Sequence, residues 1–269
     1  MIYNLFKPRG ETPLECLQKF KFAARKEGKI KDDEKLAYMG RLDPMAEGVL
    51  LVATGDDLKK RDELLGLDKD YDFTVLFGFA TDTYDILGKI LRVEKINPST
   101  DGLDEIFLRK AIQIYEGERE QKYPPFSSKN VSGPASPNGL RGTSRAMHAW
   151  ARMEGLDKIE IPSKKITIHK INFSGIQKLA PKELLGRLLM DISRVKGDFR
   201  QHDTLVLWKQ MLQNETSDLF LGKFSATVSS GTYIRSIVND LGATLGVGAC
   251  ALSIIRTRVG DYLIQDSVK

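Results

Sequence analysis

One acidic side chain, Asp43, lies in a stretch whose residue types suit chemistry, the string GRLDPMAEGVLL at residues 40–51. Pro44 disfavours helical dihedral angles at Asp43 and fixes the next φ, so the carboxylate is predicted to lie on a stiff loop. The short apolar run at residues 49–53 is predicted as a buried strand. Loops at strand ends often display catalytic groups. An Asp-Pro pair alone is more typical of a simple turn than of a catalytic loop, so the wider sequence has to decide.

Six short motifs resemble, in the same order, those of the TruB family of tRNA pseudouridine synthases. The string around Asp43 resembles the catalytic motif G-x-L-D-P-x-A-x-G-V-L-L of that family. The other five are KPRG at 7–10, DKDY at 68–71, TDTYDILG at 81–88, GTYIR at 231–235 and RTRVG at 256–260. Each motif alone is weak evidence. Six in order, across nearly the whole chain, are a specific resemblance.

The resemblance implies a fold and an activity. The fold is α/β (α+β): a central mixed, mostly antiparallel sheet flanked by helices, with a catalytic cleft across the sheet. Residues 1–269 are expected to form a single catalytic domain. The activity is isomerisation of a specific uridine in RNA to pseudouridine, with the T-arm uridine 55 of tRNA as the favoured target. Neither a cofactor nor a metal is expected.

Two alternative functions stay open. The GRLD and EGxLL pieces also resemble pseudouridine synthases that act on another RNA, such as ribosomal RNA, although Pro44, Ala46 and the TDT turn favour TruB. A non-catalytic RNA-binding chaperone that keeps the fold is the second alternative. Intact Asp43, Tyr71 and Arg235 count against that as the sole role.

Matched residue by residue, the resemblance makes Asp43, Arg235 and Tyr71 the candidate catalytic residues. Asp43 would act as a nucleophile or as a stabiliser of positive charge on the sugar, a choice that the sequence leaves open. It is expected to be ionised yet shielded from water, with Arg235 orienting it. A phosphate contact or a solvated helix position is the alternative for Arg235. Tyr71 would offer a flat surface to a flipped-out base and a hydroxyl for proton transfer; simple core packing is its alternative.

Five further residues are predicted to bind substrate or support the pocket: Tyr38, Tyr233, Lys7, Arg41 and Lys129. Tyr38 stands where bacterial tRNA enzymes of the family carry a His that helps to wedge the flipped nucleotide. A tyrosine can stack and hydrogen-bond, so base flipping remains feasible. Tyr233 is expected to pack behind the pocket, and Lys7 to support it structurally rather than react. Lys129 ends a segment, YPPFSSK, that resembles the P-P-x-x-S-A-x-K of the family.

Positive charge is concentrated in one region of the chain. The net charge of the 269 residues is +5 and the pI is near 9.0. Residues 141–200 contain 13 Lys and Arg against 6 Asp and Glu. Such a region is predicted to hold an RNA phosphate backbone, with a solvated lysine-rich face as the alternative. The chain stops soon after the RTRVG motif, so the RNA-binding PUA domain that many relatives append is expected to be absent.

Cysteine use and hydropathy bear on the compartment. The two cysteines show neither metal-ligand spacing nor a disulfide framework, and no apolar run approaches a membrane span. We therefore expect a cytoplasmic protein with no membrane partner. The partner is RNA, most directly the tRNA T-arm, and the protein is expected to be a monomer without an obligate protein partner.

Periodicity and turn chemistry predict the elements that position these residues. A capping box at Thr12–Glu15 predicts a helix to about residue 27. Alternation predicts a strand over 71–79, with residues 89–93 as its hairpin partner. Further helices are predicted over 103–116 and 145–152, and after a cap formed by residues 229–232. Residues 133–144 are predicted to be a mobile loop, 251–259 and 262–268 closing strands, and 174–219 an expanded insertion that contains a helix around residues 184–189.

Overall fold

The computed structural model describes residues 1–96, 105–134 and 142–269. The strands are β1 (Ile2–Lys7), β2 (Leu36–Met39), β3 (Ala46–Thr54), β4 (Lys69–Phe77), β5 (Phe79–Thr81), β6 (Ile90–Val93), β7 (Gly117–Lys122), β8 (Asn130–Ser132), β9 (Ser144–Ala146), β10 (Ser163–Leu179), β11 (Leu219–Val228), β12 (Ala249–Val259) and β13 (Tyr262–Leu263). The helices are α1 (Pro13–Lys26), α2 (Arg61–Gly66), α3 (Glu105–Gln113), α4 (Met147–Arg152), α5 (Pro181–Ser193), α6 (Gln201–Leu212) and α7 (Ile234–Thr244).

One large sheet runs through the molecule. Its strand order is β1-β3-β12-β4-β11-β10-β7, with β2 added beside β3 and β13 beside β12. The pairing of β12 with β3 is parallel, and the other pairings in this sheet are antiparallel. The predicted fold, a mixed and mostly antiparallel sheet flanked by helices, is therefore confirmed.

Strand β4 is covered on both faces. Phe73, Val75 and Phe77 pack into the core cluster that contains residues of α3 and α7. Leu76, on the opposite face, packs into a second cluster with residues of α5 and α6. Because successive side chains of a strand point to opposite faces, these two clusters place helices on both sides of the sheet. The two helices within residues 174–219 thus cover one face.

Two glycines permit backbone approaches that other residues would block. Gly48 in the Asp43 motif has φ +111°, and a Cβ there would lie 2.2 Å from the carbonyl oxygen of Arg256. This contact brings β3 and β12 together behind the Asp43 loop. Gly78 has φ +88°, and a Cβ there would lie 2.8 Å from the Glu94 oxygen. Both positions need a residue without a side chain.

Local signals placed several elements correctly. The capping box is present: the Thr12 hydroxyl accepts from the Glu15 backbone N–H at 3.2 Å, and Glu15 Oε2 accepts from the Thr12 N–H at 2.8 Å. The buried strand after Asp43 is β3. The helix expected around residues 184–189 is part of α5, and residues 174–219 also contain α6.

Other predictions were wrong in detail. The strand predicted over 71–79 is interrupted at Gly78, so its predicted partner, now β6, pairs only with the last residue of that strand, Phe79, and with the rest of β5. Helix α7 begins after Tyr233, whose side chain makes no capping hydrogen bond. The cap predicted at residues 229–232 is absent because Ser229 Oγ accepts from the Thr167 N–H and Ser230 Oγ donates to the Leu65 carbonyl.

Two further predictions differ at their boundaries. The helix predicted over 145–152 begins only at Met147, since Ser144–Ala146 forms β9 against β8. The last strand is only β13, and Ile264–Asp266 is a 3₁₀ turn. Residues 103–104 of one predicted helix and 135–141 of the predicted loop lie outside the described residues. In the described ranges, no helix is long and apolar enough to cross a membrane.

Candidate active site

A cleft of about 740 Å³ opens across the sheet at the loop that bears Asp43. Its walls include residues from 40–46, the start of β4, the turn at 83–87, the segment 123–128, residues 198–200 and the segment 230–235. Six of the eight predicted site residues line it: Tyr38, Arg41, Asp43, Tyr71, Tyr233 and Arg235. Lys7 and Lys129 do not.

Asp43 lies on the connection between β2 and β3, held by backbone contacts on both sides. The Ala46 N–H donates to the Asp43 carbonyl at 3.0 Å, and the Gly10 N–H donates to the Pro44 carbonyl at 2.8 Å. The side chain of Asp43 is 37% exposed. The expectation of an acid shielded from water is therefore wrong for this structure, because the loop presents the carboxylate to the open cleft.

Arg235 supplies the guanidinium next to that carboxylate from the first turn of α7. Its Nε donates to Asp43 Oδ2 at 2.7 Å. Its Nη1 donates to the Thr83 carbonyl and its Nη2 to the Phe126 carbonyl, the latter at 3.3 Å. Burial alone would lower the pKa of Arg235, but the carboxylates of Asp43 and Asp85 outweigh it and raise that pKa. The guanidinium is therefore a permanent charge, fixed in orientation by three acceptors.

Asp85 is a site residue that sequence reasoning did not single out. Its Oδ2 lies 3.7 Å from Arg235 Nε on a side chain only 8% exposed. Thr83 Oγ1 and the Leu87 N–H donate to its Oδ1 at 2.5 and 3.0 Å. Burial raises the pKa of Asp85, and Arg235 opposes that rise. The available signal was its position in the TDTYD turn, in which Thr and Asp side chains are spaced to hydrogen-bond locally.

Aromatic side chains form much of the remaining wall. Tyr71 is 7% exposed and lies on β4 between Ala226 of β11 and Arg256 of β12. The rings of Tyr233 and Tyr123 meet edge to face with centroids 5.6 Å apart. Burial, followed by the charge of Asp43, raises the pKa of Tyr233 to about 12. Tyr233 is therefore neutral at physiological pH, and the wall offers flat surfaces without added negative charge.

Lys7 lies behind the cleft. It is fully buried, and its Nζ donates to the carbonyls of Pro8 and Glu11 at 3.0 and 2.6 Å and, at 3.5 Å, to that of Pro44. Burial lowers its pKa to about 8. Lys7 thus supports the backbone next to Asp43.

Arg41 and Lys129 differ in their relation to the cleft. Arg41 is exposed, and its carbonyl accepts from Nη1 of the buried Arg256 at 3.0 Å. Lys129 is exposed and does not line the cleft, and its Nζ lies 5.4 Å from the centroid of the Tyr123 ring. In the described parts of the chain, no three His, Cys, Asp or Glu side chains are grouped so as to hold a metal ion.

Together these groups define what the cleft can do chemically. An accessible carboxylate is oriented by a buried guanidinium, and neutral aromatic rings stand beside it. Such a set can hold a planar base against apolar surface while a carboxylate approaches the attached sugar.

Comparison with known proteins points to one family. The family described as "TruB family pseudouridylate synthase (N terminal domain)" matches residues 27–199. The tRNA pseudouridine synthase B of Clostridium novyi (strain NT) is 30% identical over 268 residues, covering 100% of this chain and 70% of its own. The protein of the same name from Clostridium acetobutylicum is 29% identical, covering 97% and 68%. That of Flavobacterium johnsoniae is 26% identical, covering 97% and 89%.

Solved structures share the fold at lower identity. A chain in the crystal structure of a Cbf5-Nop10-Gar1 complex aligns with a TM-score of 0.53 and 19% identity, over 97% of this chain and 49% of that one. A chain of an H/ACA RNP bound to a substrate RNA containing 2′-deoxyuridine aligns with a TM-score of 0.50 and 19% identity. The chain spans about half the length of these solved chains.

Proposed function

The chain belongs to the TruB family of pseudouridylate synthases, and from that premise we propose that it isomerises a uridine in RNA to pseudouridine, with the T-arm uridine 55 of tRNA as its target. The observation that carries the proposal is the Asp43–Arg235 pair: a carboxylate open to the cleft, held at 2.7 Å by a buried guanidinium. The tRNA substrate is supported by the relatives, which are named tRNA pseudouridine synthase B.

The proposed reaction rearranges one nucleotide. The bond between C1′ of the ribose and N1 of uracil breaks, the base turns, and a bond forms between C1′ and C5. A proton leaves C5 and one is added at N1, so atoms and electrons balance without an oxidant or reductant. The Asp43 carboxylate serves either by bonding to C1′ in the interval or by stabilising positive charge on the sugar.

The aromatic wall suits a base that has left its stack. Enzymes that act on a base in folded nucleic acid extrude the nucleotide and hold it by stacking and edge contacts. In this proposal Tyr71 supports the base, and its hydroxyl takes part in proton transfer. Tyr38, on β2, helps to wedge the nucleotide in its flipped-out position. Arg41 at the cleft mouth meets a phosphate. The protein works as a monomer in the cytoplasm, with residues 141–200 adding to RNA affinity.

The test is to incubate the protein with tRNA transcripts, intact and with the T-arm uridine replaced by cytidine, and to map pseudouridine. Pseudouridine at the T-arm position of the intact transcript alone supports the proposal. Modification of ribosomal RNA but not of tRNA would support the alternative substrate. RNA binding without any modification, unchanged by Asp43→Asn, would support the chaperone alternative and contradict the proposal.

A further inference from the structure

The α5–α6 insertion makes specific contacts with the turn at residues 81–88. Thr204 Oγ1 of α6 donates to the Leu87 carbonyl at 3.1 Å, and Trp208 Nε1 donates to the Ile86 carbonyl at 3.1 Å. Thr204 and Trp208 are both fully buried. Buried side-chain donors aimed at carbonyls fix backbone position, because an unpaired buried polar group is costly. The insertion therefore braces the turn that carries Thr83 and Asp85.

Arg200, just before α6, lines the cleft and makes a further contact with the turn at residues 81–88. Its Nη1 and Nη2 donate to Asp82 Oδ2 and Oδ1 at 2.6 and 3.0 Å, a two-point ion pair with side chains 19% and 20% exposed. The same guanidinium also contacts the Phe126 ring, with Cζ 4.2 Å from its centroid. Planar guanidinium groups suit both contacts, the fork for a carboxylate and the face for an aromatic ring.

Two local features oppose this placement of Arg200. Its φ of 62° lies in the left-handed region, which disfavours residues other than glycine. It also puts a positive charge at the N-terminal end of α6, where the helix dipole favours negative charge. A residue held against two local preferences is held by its tertiary contacts, here Asp82 and Phe126.

Arg235 donates hydrogen bonds to the same two segments that Arg200 joins. Arg235 donates to the carbonyl of Thr83, next to Asp82 in the chain, and to the carbonyl of Phe126. A shift of either segment would move an acceptor of Arg235, and Arg235 in turn orients Asp43.

We propose that Arg200 is a positioning residue: by tying Asp82 to Phe126 it fixes the carbonyl acceptors that aim Arg235 at Asp43. This inference rests on the proposed function for its catalytic consequence and assigns the insertion a part in it. Because misplacement by about 1 Å can cost roughly 100-fold in rate, the chemical step depends on Arg200 while RNA binding does not.

The experiment compares Arg200→Ala, Asp82→Ala and the double variant in kcat and KM for pseudouridine formation on the tRNA transcript, together with RNA affinity. Each single variant is expected to lower kcat by roughly 10- to 100-fold with KM and RNA Kd within about twofold. The double variant should be no slower than the worse single variant, since both remove the same tie. Arg200→Lys, which keeps the charge but loses the fork, should recover part of the rate.

The matched control is Arg258→Ala. Arg258 forms the same kind of two-point pair, with Asp70 at 2.6 and 2.8 Å, and neither residue lines the cleft. The Arg258→Ala variant should be less stable than wild type but should keep the wild-type kcat. An equal fall of kcat in this control, or an unchanged kcat in Arg200→Ala, would overturn the inference. A raised RNA Kd with a shallower salt dependence would also overturn it, because Arg200 would then contact phosphate directly.

Crystal structures of wild type and Arg200→Ala separate this inference from the proposed function. In the variant the distance between Arg235 and Asp43 should lengthen or the pair should reorient. This is expected even if wild type modifies no RNA, a result that would contradict only the proposed function. An unchanged pair, with the Thr83 and Phe126 carbonyls in place, would refute the positioning role.

Discussion

Nε of Arg235 lies 2.7 Å from Oδ2 of Asp43, although 192 positions separate the two residues in the sequence. Arg235 is 3% exposed, whereas the side chain of Asp43 is 37% exposed. One member of the pair is thus anchored inside the protein and the other reaches the cleft. A fixed charge can orient an accessible carboxylate without movement of its own, which is the arrangement expected of a preorganised site.

Arg235→Lys tests the anchored member of the pair. A lysine is a single point charge and cannot serve Asp43 and the carbonyls of Thr83 and Phe126 together. We expect kcat to fall roughly 100-fold and the free energy of unfolding to fall by about 3 kcal/mol. Steady-state kinetics and urea unfolding measure these. Arg109→Lys, at a half-exposed arginine on α3, is the control; wild-type kcat in Arg235→Lys would contradict the assignment.

Tyr71→Phe separates the hydroxyl of Tyr71 from its ring. The ring still packs, so RNA affinity should stay within about twofold, while loss of a proton-transfer group lowers kcat by about 100-fold. Tyr115→Phe is the matched control. The Tyr115 hydroxyl makes a 2.8 Å hydrogen bond with Thr244 Oγ1, and neither residue lines the cleft. Equal kcat values for Tyr71→Phe and wild type would limit Tyr71 to stacking.

Lys165→Glu tests the basic region for RNA binding. Lys164, its neighbour, is unsuitable because its Nζ donates to the Ser230 carbonyl at 2.7 Å and packs against Gly231 of the GTYIR motif. Lys165 is exposed. Reversing the charge of Lys165 should raise the RNA Kd and reduce the slope of log K against log salt by about 1. The kcat at saturating RNA should stay unchanged. Lys29→Glu, outside the region, is the control; identical salt slopes for Lys165→Glu and wild type would remove this role.

Lys7→Met should change how stability depends on pH. Burial lowers the pKa of Lys7 from 10.5 to about 8, so between these values the unfolded chain holds a proton that the folded protein has released. The stability of wild type relative to Lys7→Met should therefore rise from pH 8 toward pH 10, by at most about 1.4 kcal/mol per pH unit. Urea unfolding at pH 7, 8, 9 and 10 measures this difference. A difference that is constant or falls with pH would contradict the burial of a titrating lysine.

The resemblance to family motifs was enough to assign Asp43, Tyr71 and Arg235 to one site, because each lies in a short string that matches a motif of the TruB family. They could not place Arg200, whose contact with Asp82 spans 118 positions and depends on how α6 packs. The buried residues of α6, Thr204, Trp208 and Leu212, are four apart and did carry a helical signal, weakened by the polar Thr204. The exposure of Asp43 also depends on tertiary structure, since burial is decided by which segments surround the cleft.

The central claim is tested most directly by single-turnover pseudouridine formation with Asp43→Asn and saturating enzyme. Asparagine keeps the size of the side chain but removes its charge and nucleophilicity, so the rate should fall by at least about 1,000-fold with the RNA Kd within about threefold. Asp72→Asn, at an exposed carboxylate on the same strand as Tyr71, should keep the wild-type rate. A rate for Asp43→Asn within about tenfold of wild type would contradict the account.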